Sequence, residues 1–187
     1  MPVAVWIILA ILLVLALIII NIYNNLVKAR QKVKNALSQI DVQLQRRFDL
    51  IPNLVESVKG YMSHEEEVLS KITELRTSWA GAQSIGDKAR IDNELSGTLK
   101  SIMAVSENYP ELRANDNFLQ LQGELKITED KIGYSRQFYN DTVTKYNTQL
   151  EVFPSSLFAS MFGFKPEDLY KVETEEARKN VRVDFGK

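Results

Sequence analysis

Residues 118–153, FLQLQGELKITEDKIGYSRQFYNDTVTKYNTQLEVF, carry an apolar or aromatic side chain at every seventh position. These positions are Phe118, Leu125, Ile132, Tyr139, Tyr146 and Phe153. The companion position, three residues after the repeat position, is small and polar at Thr128, Ser135 and Thr142. A seven-residue repeat is typical of long helices that pack side by side in a left-handed supercoil. We therefore predict one helix over residues 118–153, with Tyr139 and Tyr146 in its core rather than in an aromatic binding site.

A second helix with the same repeat is predicted over residues 26–61. One set of its apolar positions is Leu26, Val33, Ile40, Leu54 and Tyr61, and the set that follows at four residues is Leu37, Leu44, Ile51 and Val58. No glycine interrupts residues 26–59. The repeat crosses Pro52 without a shift of register, which favours a bend over a domain boundary there.

A third helical rod is predicted over residues 65–108, with an interruption at residues 80–86, where the composition is that of a loop. Asp87 is the predicted N-cap of the segment that follows, and Pro110 closes the rod. The rods 26–61 and 118–153 have equal lengths, which suits antiparallel neighbours. The predicted fold is all-α, an antiparallel up-down bundle of three to four long helices with no strand pattern.

Residues 3–20, VAVWIILAILLVLALIII, are 18 consecutive apolar residues. As a helix they cover about 27 Å, close to the hydrocarbon thickness of a bilayer. A cleaved signal peptide and a buried core helix are the alternatives. We favour a retained transmembrane helix over about residues 3–22, because no basic region precedes the run and its apolar character is uniform. The predicted domains are a membrane anchor (1–25), the bundle (26–164) and a charged tail (165–187).

The charge distribution predicts how the anchor is oriented. Lys28, Arg30, Lys32 and Lys34 follow the apolar run, and no acid precedes Asp41. The positive-inside rule then places the body in the cytoplasm and the N-terminus outside. The same four cations are candidate contacts for lipid headgroups.

The composition excludes several kinds of chemistry. The 187 residues contain no Cys and one His, which excludes disulfides, thiolate zinc sites and multi-histidine metal sites. His64 and Glu67 form a single i,i+3 pair, which we interpret as part of a solvated helix start. The net charge of −1 gives no reason to expect nucleic acid. We predict no cofactor, no metal and no catalytic residue.

Arg47 falls on the apolar stripe of its helix, beside Arg46. A charge at such a position is costly unless it is paired. Either Arg47 contacts a partner chain or sets the register of an oligomer, with Arg46 a second candidate interaction residue, or Arg47 forms an internal ion pair with an acid such as Glu124 or Asp130. We favour the ion pair.

The C-terminal segment contains a second candidate interaction surface. Its apolar side chains are Phe158, Met161, Phe162 and Phe164. They either cap one end of the bundle, which we favour, or insert in a membrane interface or bind another protein. The charged tail from Lys165 to Lys187 is expected to be loosely ordered, with Val181, Val183 and Phe185 available to dock.

Several stretches together resemble the LemA family. They are YNNLVKAR (23–30), ALSQIDVQLQRRFDLIPNLV (36–55), YPELRANDNFLQLQ (109–122), SRQFYND (135–141), FPSSL (153–157) and FGFKP (162–166). The resemblance implies a bacterial single-pass membrane protein with a helical-bundle body, an N-terminus outside the cell and no established enzymatic activity. It also implies links, in some members, to magnetosome membrane formation and to envelope proteases.

The residues and the resemblance lead to one functional hypothesis. We expect a non-enzymatic scaffold or interaction protein, anchored in the bacterial inner membrane, whose partners are membrane lipid and either further copies of itself or other membrane proteins. The alternatives are an accessory subunit of a membrane protease or quality-control system, and a homo-oligomeric membrane-remodelling protein.

Overall fold

The computed structural model describes residues 3–61, 66–82 and 84–171, and within these ranges it contains helices and no strand. The helices are α1 (Val3–Lys59), α2 (Glu66–Gly81), α3 (Ile85–Ser106), α4 (Pro110–Arg113), α5 (Asp116–Glu151) and α6 (Ser155–Met161). The predicted all-α fold with a long apolar N-terminal helix is confirmed. Two compact units divide the chain: unit 1 comprises Met1–Asp41 and Gly133–Leu169, and unit 2 comprises Val42–Ile132 and Tyr170–Lys187, each taken over its described residues.

Helix α1 continues from the apolar run into the polar part of the chain as one element of 57 residues. It passes through Pro52, which lies on the exposed side of the helix. The missing N–H of proline is tolerated best where water can bond the carbonyl that it leaves free. The apolar run itself is exposed along its length, as Leu12 at 56% and Ile18 at 45% illustrate.

The seven-residue repeat predicted most of the buried side chains of α1 and α5, but not Ala36, Phe48 or Val143. In unit 1 the buried side chains are Leu26, Val33, Ala36, Ile40, Tyr139, Val143, Tyr146 and Ala159. In unit 2 those of the two long helices are Leu44, Arg47, Phe48, Ile51, Leu54, Val58, Phe118, Leu125, Thr128 and Ile132. Leu37, a predicted repeat position, is only half-buried, and the neighbouring Ala36 is buried instead.

Within unit 2, α1 and α5 run antiparallel. Arg47 of α1 pairs with Glu129 of α5, whereas Tyr61, just after α1, accepts a hydrogen bond from Asn115, just before α5. The N-terminal end of α5 therefore lies beside the C-terminal end of α1. Asn115 also caps α5, because its Oδ1 accepts from the N–H of Phe118 over 3.1 Å.

Two boundary predictions are wrong. The N-cap of α3 is Ser84 rather than Asp87: the Ser84 hydroxyl accepts from the Asp87 N–H over 3.0 Å and donates to its carboxylate over 2.6 Å. Asp87 thus lies in the first turn, where its charge favours the helix dipole. Helix α5 ends at Glu151, and Phe153, predicted in the core, is 85% exposed. Pro154 disfavours helical geometry at the residue before it, so the repeat ends one interval early.

Candidate functional site

Arg47 carries a buried charge in unit 2, on the core-facing side of α1, where it is 3% exposed. Its Nη1 donates to Asp92 Oδ1 of α3 over 2.9 Å. Its Nη2 lies 2.6 Å from Glu129 Oε2 of α5 and donates to Ser96 Oγ over 3.0 Å. One guanidinium therefore links α1 to α3 and α5.

Asp92 is fully buried and uses both carboxylate oxygens. Oδ1 accepts from Arg47, and Oδ2 accepts from the Tyr170 hydroxyl over 3.0 Å. Tyr170 is 2% exposed. Burying charges is tolerated when each is paired and hydrogen-bonded, as here. We call Arg47, Asp92 and Tyr170 the buried polar cluster, and Glu129, whose side chain is 43% exposed, lies at its edge.

Of the two interpretations of Arg47, the structure shows the internal ion pair, but with other acids than those predicted. Glu124 instead pairs with Arg46, at 2.6 Å between Nη2 and Oε2, and these side chains are 45% and 37% exposed. Successive helix residues point about 100° apart, so the relative register of α1 and α5 selects Glu129 rather than Asp130. Arg47 lies in the interior, and a partner contact remains a prediction for Arg46.

Sequence reasoning missed Asp92 and Tyr170. Asp92 precedes Leu95 by three residues and Leu99 by seven, so it lies on the apolar stripe of α3 just as Arg47 lies on that of α1. A charged residue on each of two apolar stripes indicates an ion pair between the helices, so the sequence contained a signal for the pairing of Arg47 with Asp92. Tyr170 stands among charged residues of the tail, and its neighbours give no comparable signal.

The Phe-rich segment, residues 153–164, surrounds α6 in unit 1. Ala159 is its buried residue, and Phe158 and Phe164 are half-buried. Leu157 and Met161 are each 64% exposed, and Phe162 is 43% exposed. The segment therefore has an inward side and an exposed apolar side, and both the cap and the binding interpretation remain predictions.

Helix α6 ends in a geometry that fixes the direction of the following chain. Gly163 has φ of 71°, its N–H donates to Ser160 O over 3.3 Å, and the Phe164 N–H donates to Ala159 O over 2.9 Å. This is the Schellman arrangement, in which a left-handed residue closes the last turn. Glycine adopts that φ without the strain that a β-carbon brings.

The end of the Phe-rich segment contacts Tyr23, three residues beyond the apolar run of α1. The Tyr23 ring meets Phe162 edge-on at 5.1 Å between centroids and Phe164 at 5.9 Å. The Arg30 guanidinium lies 5.1 Å from the centroid of the Phe164 ring. Edge-to-face rings and a cation over a ring face are both favourable arrangements.

Polar side chains of α5 hold the chain that follows α6. The Tyr146 hydroxyl donates to Lys165 O over 3.0 Å, and the Tyr139 hydroxyl donates to Asp168 O over 2.8 Å. Asn147 makes two bonds with the Glu167 backbone, at 2.9 and 3.0 Å. The prediction that both tyrosines are core residues is confirmed, and their hydroxyls have the further role of fastening residues 165–168.

These surroundings shift the ionisation of both tyrosines. Burial, reinforced by the negative charges of Glu167 and Asp168, raises the pKa of Tyr139 to about 12. Burial also raises the pKa of Tyr146, although the Arg30 cation opposes the shift. Both hydroxyls therefore remain hydrogen-bond donors throughout the neutral range.

The four cations after the apolar run differ in their surroundings. Lys28, Lys32 and Lys34 are exposed, whereas Arg30 is half-buried against Phe164. Their contact with lipid headgroups remains a prediction.

Two further predictions fall outside the described residues. These concern His64, and the docking of Val181, Val183 and Phe185. Within residues 3–61, 66–82 and 84–171, no three His, Cys, Asp or Glu side chains form a set that could hold a metal ion.

The described residues contain one helix, α1, that is long and apolar enough to cross a membrane, and none of the 18 residues of its apolar window is buried. A signal sequence near an N-terminus shares this length and composition.

Comparison with known proteins gives consistent matches. The sequence model of the LemA family matches residues 36–185. Protein LemA of Metamycoplasma hominis is 30% identical over 166 residues, covering 86% of this chain and 72% of that protein.

Magnetosome proteins are more distant relatives. Magnetosome protein MamQ 2 of Paramagnetospirillum magneticum is 25% identical over 175 residues, covering 80% of this chain and 64% of the relative. Magnetosome protein MamQ of Magnetospirillum gryphiswaldense is 24% identical, covering 76% and 62%. The chain thus spans less than two thirds of the length of either magnetosome protein. Together with the apolar helix and the helical body, these matches lead to one conclusion: the chain belongs to the LemA family and is a membrane-associated helical protein.

Proposed function

We propose that this protein is a membrane-anchored scaffold of the bacterial inner membrane, which acts by position and contact and has no catalytic activity. The observation that carries the proposal is the unburied apolar window of α1, which continues without a break into a helical body. An 18-residue apolar surface of this kind is stable in lipid and costly in water.

The proposed orientation has the N-terminus outside and the helical body in the cytoplasm. The exposed Lys28, Lys32 and Lys34 support it, because cations flanking a membrane helix favour the cytoplasmic side. On that side the same residues would face the anionic lipid headgroups that we predict as their partners.

Exposed apolar side chains support a role in binding other proteins. In unit 1, Tyr134 is 74% exposed and Phe138 is 54% exposed, four residues apart on one face of α5. Such residues are enriched at protein interfaces. Further copies of this chain or other membrane proteins are the proposed partners.

A second candidate function is the organisation or remodelling of a membrane by homo-oligomers. The similarity to relatives named as magnetosome proteins favours this candidate. It predicts ordered assemblies on liposomes, whereas a scaffold for other proteins predicts specific heterologous contacts.

Photocrosslinking in cells tests the scaffold proposal. A photoreactive residue replaces Arg46, Tyr134 or Phe162 in the full chain, and the fully buried Ile132 serves as the control position. We expect one defined protein adduct from at least one surface position in the membrane fraction, and none from Ile132. Adducts with lipid alone, or no adduct at all, from the three surface positions would contradict the proposal.

A further inference from the structure

The exposed side of the Phe-rich segment is large and apolar. Phe153 is 85% exposed, and Leu157 and Met161 are each 64% exposed. Leu157 and Met161 are four residues apart, so they share one face of α6. Large exposed apolar patches typically mark surfaces that bind a membrane or another protein.

The contacts of Tyr23 fix the level of this segment along α1. Tyr23 lies three residues beyond Ile20, which ends the apolar run, a distance of about 4.5 Å along the helix axis. Phe162 and Phe164 both meet the Tyr23 ring. The segment therefore lies at the end of the apolar run, where aromatic side chains are enriched in membrane proteins.

Cations lie close to the segment, and the acids Glu151, Glu167 and Asp168 flank it in sequence. Between Glu151 and Glu167 the only charged residue is Lys165, which is exposed. Arg30 lies against Phe164, and the exposed Lys28 precedes it on α1. Cations near an apolar surface strengthen its attraction to a membrane with anionic headgroups.

The segment is also held in place. The bonds from Tyr139, Tyr146 and Asn147 fasten residues 165–168, and the left-handed Gly163 sets the turn before them. A fixed apolar face loses less conformational freedom on entering an interface than a mobile one does.

We propose that α6 lies in the interfacial layer of the same bilayer that residues 3–20 span, with lipid chains covering Phe153, Leu157 and Met161. The protein would then hold the membrane at two points, one helix across it and one along its surface. This proposal rests on the membrane anchoring proposed above.

The absence of cysteine allows clean single-site labelling of the full chain. Nitroxide labels are attached to L157C and M161C, with L12C as the control inside the anchor and Y134C as the control on an exposed face of α5. Tyr134 is 74% exposed and belongs to the same unit. The protein is reconstituted in vesicles of phosphatidylethanolamine and phosphatidylglycerol, and collisions with oxygen and with a polar nickel chelate are measured. We expect labels at 157, 161 and 12 to favour oxygen, and the label at 134 to favour the chelate.

The controls separate the possible failures. If the label at 12 favours oxygen while those at 157 and 161 favour the chelate, the interfacial position is wrong and the anchor stands. If the label at 12 also favours the chelate, the anchoring itself is wrong. Shielding of 157 and 161 from both reagents, with spin–spin broadening, would mean that a second copy covers the face and would overturn the proposal. A label at F153C repeats the test at a third exposed position, and circular dichroism checks that each variant keeps its helix content.

Discussion

Replacement of Arg47 is expected to lower the free energy of unfolding strongly. In R47M, Asp92 keeps its bond from Tyr170 but loses the cation that offsets its buried charge. Removing one partner of a buried ion pair typically costs about 3–5 kcal/mol. We expect a loss of that size in the free energy of unfolding, measured by denaturant titration of the full chain in detergent.

The neighbouring R46M is the matched control, since Arg46 and Glu124 are both partly exposed. Exposed pairs contribute at most about 1 kcal/mol, so R46M should be almost neutral. The double variant R47M/D92N should recover part of the loss, because asparagine leaves no uncompensated charge and still accepts from Tyr170. Equal losses in R47M and R46M would contradict the assignment of Arg47 to the interior.

Tyr139 is expected to make the folding stability of the protein decrease at alkaline pH. Its pKa rises from 10.0 to about 12 on folding, so the folded state binds the proton more tightly than the unfolded state does. The stabilisation is complete below pH 10 and is lost as the pH rises through about 12. Thermal unfolding followed by circular dichroism should show the melting temperature falling across that window.

Y139F should weaken this alkaline loss, and Y134F, which alters an exposed hydroxyl, should leave it unchanged. At neutral pH Y139F should cost about 0.5–1.5 kcal/mol, because the bond to Asp168 O is lost. An identical alkaline profile in Y139F and the parent protein would show that another group controls the transition.

At the level of single elements, the start of α3 depends on one serine. Ser84 satisfies the Asp87 N–H, one of the four that a helix start leaves without an intrahelical partner. S84A should therefore cost about 1 kcal/mol and speed hydrogen exchange in the first turn of α3.

S101A is the control for S84A. The Ser101 hydroxyl bonds back to Gly97 O within the same helix, an exposed contact that adds little stability. Alanine is also the better helix former at such a position, so S101A should be neutral or slightly stabilising. Similar losses in both variants would show that the Ser84 cap does not carry the effect.

The helices were predictable from sequence to different degrees, for a physical reason. Burial along α1 and α5 follows from a repeat that each helix displays in its own sequence, as Ile40 and Ile132 illustrate. The partners of Arg47 depend on how α1, α3 and α5 are placed against one another, which no single helix encodes. The same reason explains why the hydroxyl bonds of Tyr139 and Tyr146 to the tail could not be foreseen.

On the scale of the whole molecule, the orientation in the membrane is directly testable. P2C and S101C place single thiols on the two sides of the proposed topology, because Pro2 precedes the apolar run and Ser101 is exposed on α3. A membrane-impermeant maleimide should label P2C in intact cells and S101C only after lysis, because the cations after the anchor favour the cytoplasm. The reverse labelling pattern would overturn the proposed orientation.

The unbroken course of α1 makes the part of it in unit 1 a stiff lever. From Ile20 to Asp41 the helix extends about 32 Å. Membrane helices differ in tilt by tens of degrees, and they tilt further when the bilayer becomes thinner. A change of about 10° about a pivot at Ile20 would carry Asp41 sideways by about 5.5 Å. If α1 crosses the bilayer as proposed, a change in bilayer thickness would move residues 20–41 as one piece, because neither proline nor glycine interrupts the helix there.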